Sequence, residues 1–270
     1  MTKKKKKTIE AQPQPQLYKV LVDGKSCHNG SLLWSLPVDG KPGEWHEVTG
    51  TLVLCSHGLH LTDDPARWWK TGCRVYLVEA EGVEGTCADR EDRKVVARRV
   101  RLMRETSAAE LEDLRIYLTG KHTAQAGAVI ASGSASVRAS GSASVEAWGS
   151  ASVRASGSAS VEASGSASVE ASGSASVRAW DSASVRAWDS ASVEASDSAS
   201  VEASDSASVR AWGSASVEAS GSASVRASGS ASVRAWGSAS VEAKDTVTVV
   251  HIERGDNSKA PQVHVAEDAP

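Results

Sequence analysis

The chain has 270 residues, a formal net charge of −3 and 40% hydrophobic residues. A near-neutral balance excludes a polyanion-binding surface over its whole length, and no run approaches the ~20 apolar residues of a membrane-spanning helix. Composition divides the chain: all four cysteines, all three tyrosines, both methionines and every leucine precede residue 125, whereas 125–244 are almost wholly Ser, Ala, Val, Gly, Arg, Glu, Asp and Trp.

Residues 1–16 read as a disordered basic arm, with Lys3 to Lys7 followed by Gln12-Pro13-Gln14-Pro15-Gln16. No apolar stretch stands behind the lysines, so they do not read as a secretory signal. Nucleic acid or an acidic surface is a partner they could hold only weakly, and in a salt-dependent way. The expected setting is cytoplasmic and reducing, with Cys27, Cys55, Cys73 and Cys87 as free thiols.

Residues 17–105 read as a small α+β domain. The apolar patterns predict strands over 17–22, 31–36, 74–80 and 94–103 and a longer strand, or a hairpin through Gly50, over 46–55, with turns at Asp23-Gly24 and in Val38-Asp39-Gly40-Lys41. A helix is predicted over 64–72, where Asp64 can cap, Pro65 suits the first position and Gly72 the exit. Trp34, Trp45, Trp68 and Trp69 supply core or interface bulk. Cys27 (beside His28), Cys55, His57, His60 and Cys73 carry ligand types that zinc accepts. They contain no Cys-x-x-Cys knuckle, and Cys55 at the end of an apolar strand is ordinary packing, so no metal is expected.

Tyr18-Lys19-Val20, Cys55-x-x-Gly58-Leu59-His60 and the strand from Val75 to Gly82 resemble an uncharacterised domain of bacterial and phage proteins. That likeness covers about a third of the chain and implies no established activity, though it suggests phage association. Gly58-Leu59-His60-Leu61-Thr62, followed by the 64–69 phrase and the 74–80 strand, is similar in outline to ADP-ribosyltransferase-like folds. That similarity implies an NAD site near His60 or Thr62 and a catalytic Glu on a later strand, for which Glu79 and Glu81 are available. It is an analogy of fold.

Residues 106–124 form the junction. Ser107 and Glu110 make a capping box, and Leu111, Leu114 and Leu118 come after it at helical spacing. The phrase predicts a helix over 108–119, stopped by Gly120 and covering the first coil of the repeat.

From Gly133 to Lys244 the phrase G/D-S-A-S-V-R/E-A-S/W recurs fourteen times without insertion or deletion, which fixes the architecture before local propensity is consulted. Ala, Val and Ala alternate with Ser, Ser and Arg or Glu, a strand's period of two, and Gly or Asp suits a left-handed corner. The outward charges run R E R E E R R E E R E R R E. Stacking every second octad sets opposite charges side by side in 8 of 12 contacts, and stacking every third in only 4 of 11. The chain is therefore expected to be mainly β, with residues 125–255 a thin two-sided β-solenoid of 16 residues per coil, and 256–270 a disordered tail.

Candidate functions for the solenoid divide by residue. Its charges argue against ice binding. Asp181, Asp189, Asp197 and Asp205 read as turn residues before they read as a calcium bridge. Trp180, Trp188, Trp212 and Trp236 each follow an Arg by two positions, which suggests Arg–Trp stacking, with a carbohydrate or nucleobase platform as the alternative. The leading expectation is a structural or interaction protein without a cofactor, binding a protein partner or itself through the solenoid ends. The alternative is an NAD-using enzyme with its site near His60.

Overall fold

In the computed structural model, residues 16–27, 30–70, 72–87, 92–244, 246–251 and 262–265 are described. The basic arm and His28 lie outside them. The chain divides into two units, Met1–Thr106 and Ser107–Pro270.

The first unit is a six-stranded antiparallel sheet of β1 (Tyr18–Val22), β2 (Lys25–Ser26), β3 (His46–Glu47), β4 (Leu59–Thr62), β5 (Arg74–Glu84) and β6 (Lys94–Glu105). Long β5 and β6 pair along most of their lengths, and β1 lies against β5. Leu21, Trp34, Leu59, Leu61, Tyr76, Val95, Val100 and Leu102 form the core. Asp23-Gly24 and Asp39-Gly40 both have positive φ at each residue, which the type I′ hairpin turn requires, so both repeated Asp-Gly phrases make the turns expected of them.

Three expected elements are shorter or absent. Residues 31–36 make no strand; only Leu33 bridges Lys25, while Trp34 turns inward. The 46–55 strand shrinks to β3. The 64–72 helix is a single 3₁₀ turn, Pro65–Trp68, without a side-chain cap bond from Asp64. Trp69 leaves the turn in extended conformation and is buried, so core burial overrides the local helix signal. That turn is the helical content of this unit among its described residues.

The second unit is the solenoid, about eight turns between residues 116 and 250. Its strands run parallel, and register partners are sixteen residues apart, as in Ser184–Ala187 against Ser200–Ala203. Backbone bonds climb the stack from alternate N–H groups to the carbonyl seventeen residues earlier, through the strands and the corners alike: Trp180 to Ala163, Ser182 to Gly165, Ser184 to Ala167. The inward Ala, Val and Ala of all fourteen octads are buried, for example Ala183 at 0% and Val185 at 1% exposure. Small side chains let the two walls close on each other, and the resulting core is continuous.

The corners are set by one residue. At most of them the Ala N–H bonds back to the carbonyl three residues earlier, as Ala183 does to Trp180. The second turn position is left-handed whether Gly or Asp stands there, with φ 66° at Gly165 and 57° at Asp181. At the first two corners a Cβ would lie 2.6 Å from the Leu118 carbonyl oxygen at Gly133 and 2.5 Å from that of Gln125 at Gly141. Glycine is demanded there by space as well as by φ.

The solenoid's ends differ from expectation. Helix α1 (Ala108–Asp113) has the Ser107–Glu110 capping box, yet it stops early, buries none of its residues and is followed by Arg115 at φ 62°. Ile116 and Tyr117 then pair with Ile130 and Ala131 and already belong to the first coil. The β-branched and aromatic pair goes to the sheet, and the solenoid starts near 116 rather than 125. At the other end Thr248–His251 stacks on Ser232–Ala235, and Gln262–Val265 stacks on Ser240–Ala243. The second of these strands lies within the expected disordered tail. The 14 residues from Val249 to Val263, in place of eight, hide the continued register.

Overpacking the closed interior is expected to cost stability where the same change outside does not. Ala183→Val should destabilise by about 1–3 kcal/mol and Ser184→Val by less than about 0.5 kcal/mol, compared by denaturant midpoints. Equal effects would contradict the assignment of inward and outward positions.

Candidate functional site

The first unit holds a cavity of about 450 Å³ walled by β1, β4 and the loops beside them, with Lys19, Cys27, Trp34, Cys55, His60, Thr62, Trp68 and Lys94 among its lining residues. His60 is the hinge of its local geometry. The ring Nε2 accepts the Cys55 backbone N–H at 2.8 Å, and the backbone carbonyl accepts the Lys19 ammonium at 2.9 Å. Accepting through Nε2 fixes the imidazole as neutral. Burial, and after it the charges of Lys19 and Lys94, hold its pKa below the usual histidine value.

The same bond explains the Cys-x-x-Gly-Leu-His phrase. Cys55 sits at φ 63° in a turn bridged by Val53 and His57. A Cβ on Gly58, at φ 133°, would lie 2.1 Å from Val96 Cγ2. The glycine therefore permits a close approach, and the histidine holds the turn.

The enzyme-like candidates do not converge. Thr62 is buried, donates to the Arg93 carbonyl at 2.7 Å and accepts the Asp64 N–H at 3.0 Å, which makes it a turn clamp. Glu79 is exposed and pairs across the strands with Arg101, as Glu81 does with Arg99. Trp45 lies against both guanidiniums, 4.1 Å from Arg99 and 4.7 Å from Arg101. Glu79 is not among the residues lining the cavity of His60.

The Cys and His candidates separate as well. Cys27 donates to the Trp68 carbonyl at 3.1 Å and lies within hydrogen-bond reach of Cys73. That contact lowers the Cys73 thiol to about 7 and raises Cys27. Cys55 and His60 form a second pair, and His57 turns to the Thr49 carbonyl at 2.7 Å. Among the described residues no three His, Cys, Asp or Glu side chains gather as a metal site.

Sequence patterns alone do not mark Lys19, the most perturbed cation of the cavity. It lies on β1, is 8% exposed, and its Nζ stands 5.0 Å from the centre of the Trp34 ring. Desolvation lowers it to about 8, opposed by Cys27 and assisted by Lys94. A lysine between Tyr18 and Val20 in an apolar strand is the only signal that could have found it.

On the solenoid, ion pairs join residues sixteen apart: Arg154–Glu170, Arg178–Glu162, Arg178–Glu194, Arg186–Glu202, Arg210–Glu194, Arg226–Glu242 and Arg234–Glu218. The guanidiniums of Arg178, Arg186, Arg210 and Arg234, each two positions before a Trp, turn to carboxylates of neighbouring coils. The Asp turns act likewise. Asp181 accepts the Gly165 N–H at 3.2 Å and Asp189 that of Gly173 at 3.1 Å, each reaching one coil back. Trp180, Trp188 and Trp236 are half-buried and Trp212 is 43% exposed. By coil rather than chain order, Trp148, Trp180 and Trp212 occupy one corner column at every second coil, separated by Ser164 and Ser196. Coils ~4.8 Å apart leave an indole needing a small neighbour above and below.

Compared with known proteins, the chain matches no family model, no curated protein and no solved structure. Both likenesses therefore rest on their sequence phrases. No helix among the described residues is long and apolar enough to cross a membrane.

Burial of Lys19 has a pH signature. The folded amine binds its proton less tightly than the unfolded one, so keeping it charged below pH 8 costs stability, and that cost fades as pH rises from 8 toward 10.5. Between about pH 7 and about pH 9.5 the stability gap between wild type and Lys19→Met should move roughly 2 kcal/mol in the wild type's favour. Thermal melts of both proteins measure it, and a constant gap would contradict a buried, charged lysine.

Proposed function

We propose that this chain is a non-catalytic structural or interaction protein. The solenoid acts as a rigid spacer or assembly surface, and the first unit makes the specific contact. One contrast between the units carries this reading. The solenoid's outward charges are largely satisfied by each other from coil to coil. The first unit instead leaves Leu32, Leu33, Leu36 and Val38 between 40% and 65% exposed within one short connection, a composition that favours a protein partner.

The thiols, none of them in a disulfide, suit the reducing cytoplasm. Self-association through the solenoid ends fits the same role, because terminal coils offer strand edges. The alternative, an NAD-using enzyme, has the cavity beside His60 in its favour and lacks a carboxylate among that cavity's described lining residues.

Incubation with labelled NAD separates the two. No consumption or transfer of label is expected, and no difference between the wild type and His60→Ala. Turnover that His60→Ala abolishes would overturn it.

A further inference from the structure

Two ammonium groups, Lys19 and Lys94, stand on the wall of the first unit's cavity, and no Asp or Glu is among its described lining residues. Lys94 Nζ is 3.4 Å from the centre of the Trp68 ring, so an aromatic face meets its charge. Lys19 is more deeply placed. Its described contacts are one carbonyl and one ring face, and neither carries a full negative charge. Burying a cation without a counter-ion is expensive. That cost is visible in the lowered affinity of Lys19 for its proton.

A second group is unmet beside it. Trp34, whose ring faces Lys19 Nζ, lines the same cavity and is 3% exposed. Its indole N–H is buried without a hydrogen-bond partner, and a buried donor left unpaired is destabilising. An ammonium and an indole N–H are both donors without an acceptor capacity of their own. What satisfies both is an oxygen with negative charge.

The remaining wall says what that oxygen is attached to. Val20, Leu32, Leu61 and the Trp68 ring are apolar, Ser26, Ser31 and Ser56 add hydroxyls, and the volume of about 450 Å³ falls in the range of small-molecule sites. We propose that this cavity binds a small organic oxyanion, a carboxylate or a phosphate monoester on an apolar or aromatic body. Lys19 is its counter-ion, and the Trp34 indole N–H is its second donor. Nothing in this site depends on NAD chemistry or on the role of the solenoid.

The test monitors the Trp34 indole N–H by ¹⁵N–¹H NMR on the full chain, titrating benzoate, phenyl phosphate and uncharged benzyl alcohol. Assignment of the signal comes from Trp34→Phe. The expected result is a saturable shift with at least one of the two anions. Binding should be at least roughly tenfold weaker for benzyl alcohol, equally weakened in Lys19→Met, and kept within about threefold in Lys19→Arg. Whichever anion binds more tightly identifies the head group. An indole signal unmoved by both anions up to about 10 mM overturns the proposal, as does equal binding of the alcohol. The comparison of anion with alcohol needs only the wild type, so it decides the matter even where Lys19→Met fails to fold.

Discussion

The backbone ladder that returns every sixteen residues is the constraint on which the second unit depends. Once alternate N–H groups of one coil are bonded to carbonyls of the coil before, each inner coil's residues acquire neighbours sixteen positions away on both sides. A side chain is then tolerable only if it can stand ~4.8 Å from its own counterpart. Inward, identical Ala and Val side chains pack against their copies and against the opposite wall. Outward, like charges would repel, so Arg and Glu alternate along each face at most positions, and the indoles of a column are spaced by serines. The exposed ion pairs are individually worth little. Their value lies in making one stacking order better than its competitors, since a shift by one octad pairs the wrong faces.

The corners obey the same rule. A left-handed residue is needed once per octad, and Asp can stand there because its carboxylate reaches the turn N–H of the coil before, as Asp181 does to Gly165. The Asp substitutions cluster in four consecutive corners, and the first two corners, where Leu118 and Gln125 crowd the turn, have no room for a Cβ.

Legibility differed between the units for a physical reason. In the solenoid the information is periodic and each coil meets only its neighbours, so pattern and charge order suffice for register, face and corner. Where the period breaks, reading fails: Ile116-Tyr117 looks helical after Leu111 and Leu114, and the 262–265 strand is hidden behind six extra residues. The first unit is aperiodic, and its contacts join distant segments. The Asp-Gly turns and the long strands are local and were readable. The fate of 31–36, the shortening of 64–72 and the burial of Lys19 are set by Trp34, Trp69 and β4, which no local pattern announces. The Cys-x-x-Gly-Leu-His phrase was visible as a motif, but its meaning, a turn held by His60 Nε2 over a space-limited glycine, needed the fold.

The sixteen-residue coil is tested most directly by disulfide trapping. In Ser184→Cys/Ser200→Cys the two cysteines occupy directly opposed positions on adjacent parallel strands, within the Cα separation of 4.4–6.8 Å that a disulfide accepts. In Ser184→Cys/Ser208→Cys, offset by three octads, they lie on different faces, because Ser208 pairs with Ser192. After mild oxidation, peptide mapping by mass spectrometry should recover the 184–200 bridge and no 184–208 bridge. A 184–208 bridge formed in preference would contradict the two-octad coil and the face assignments built on it.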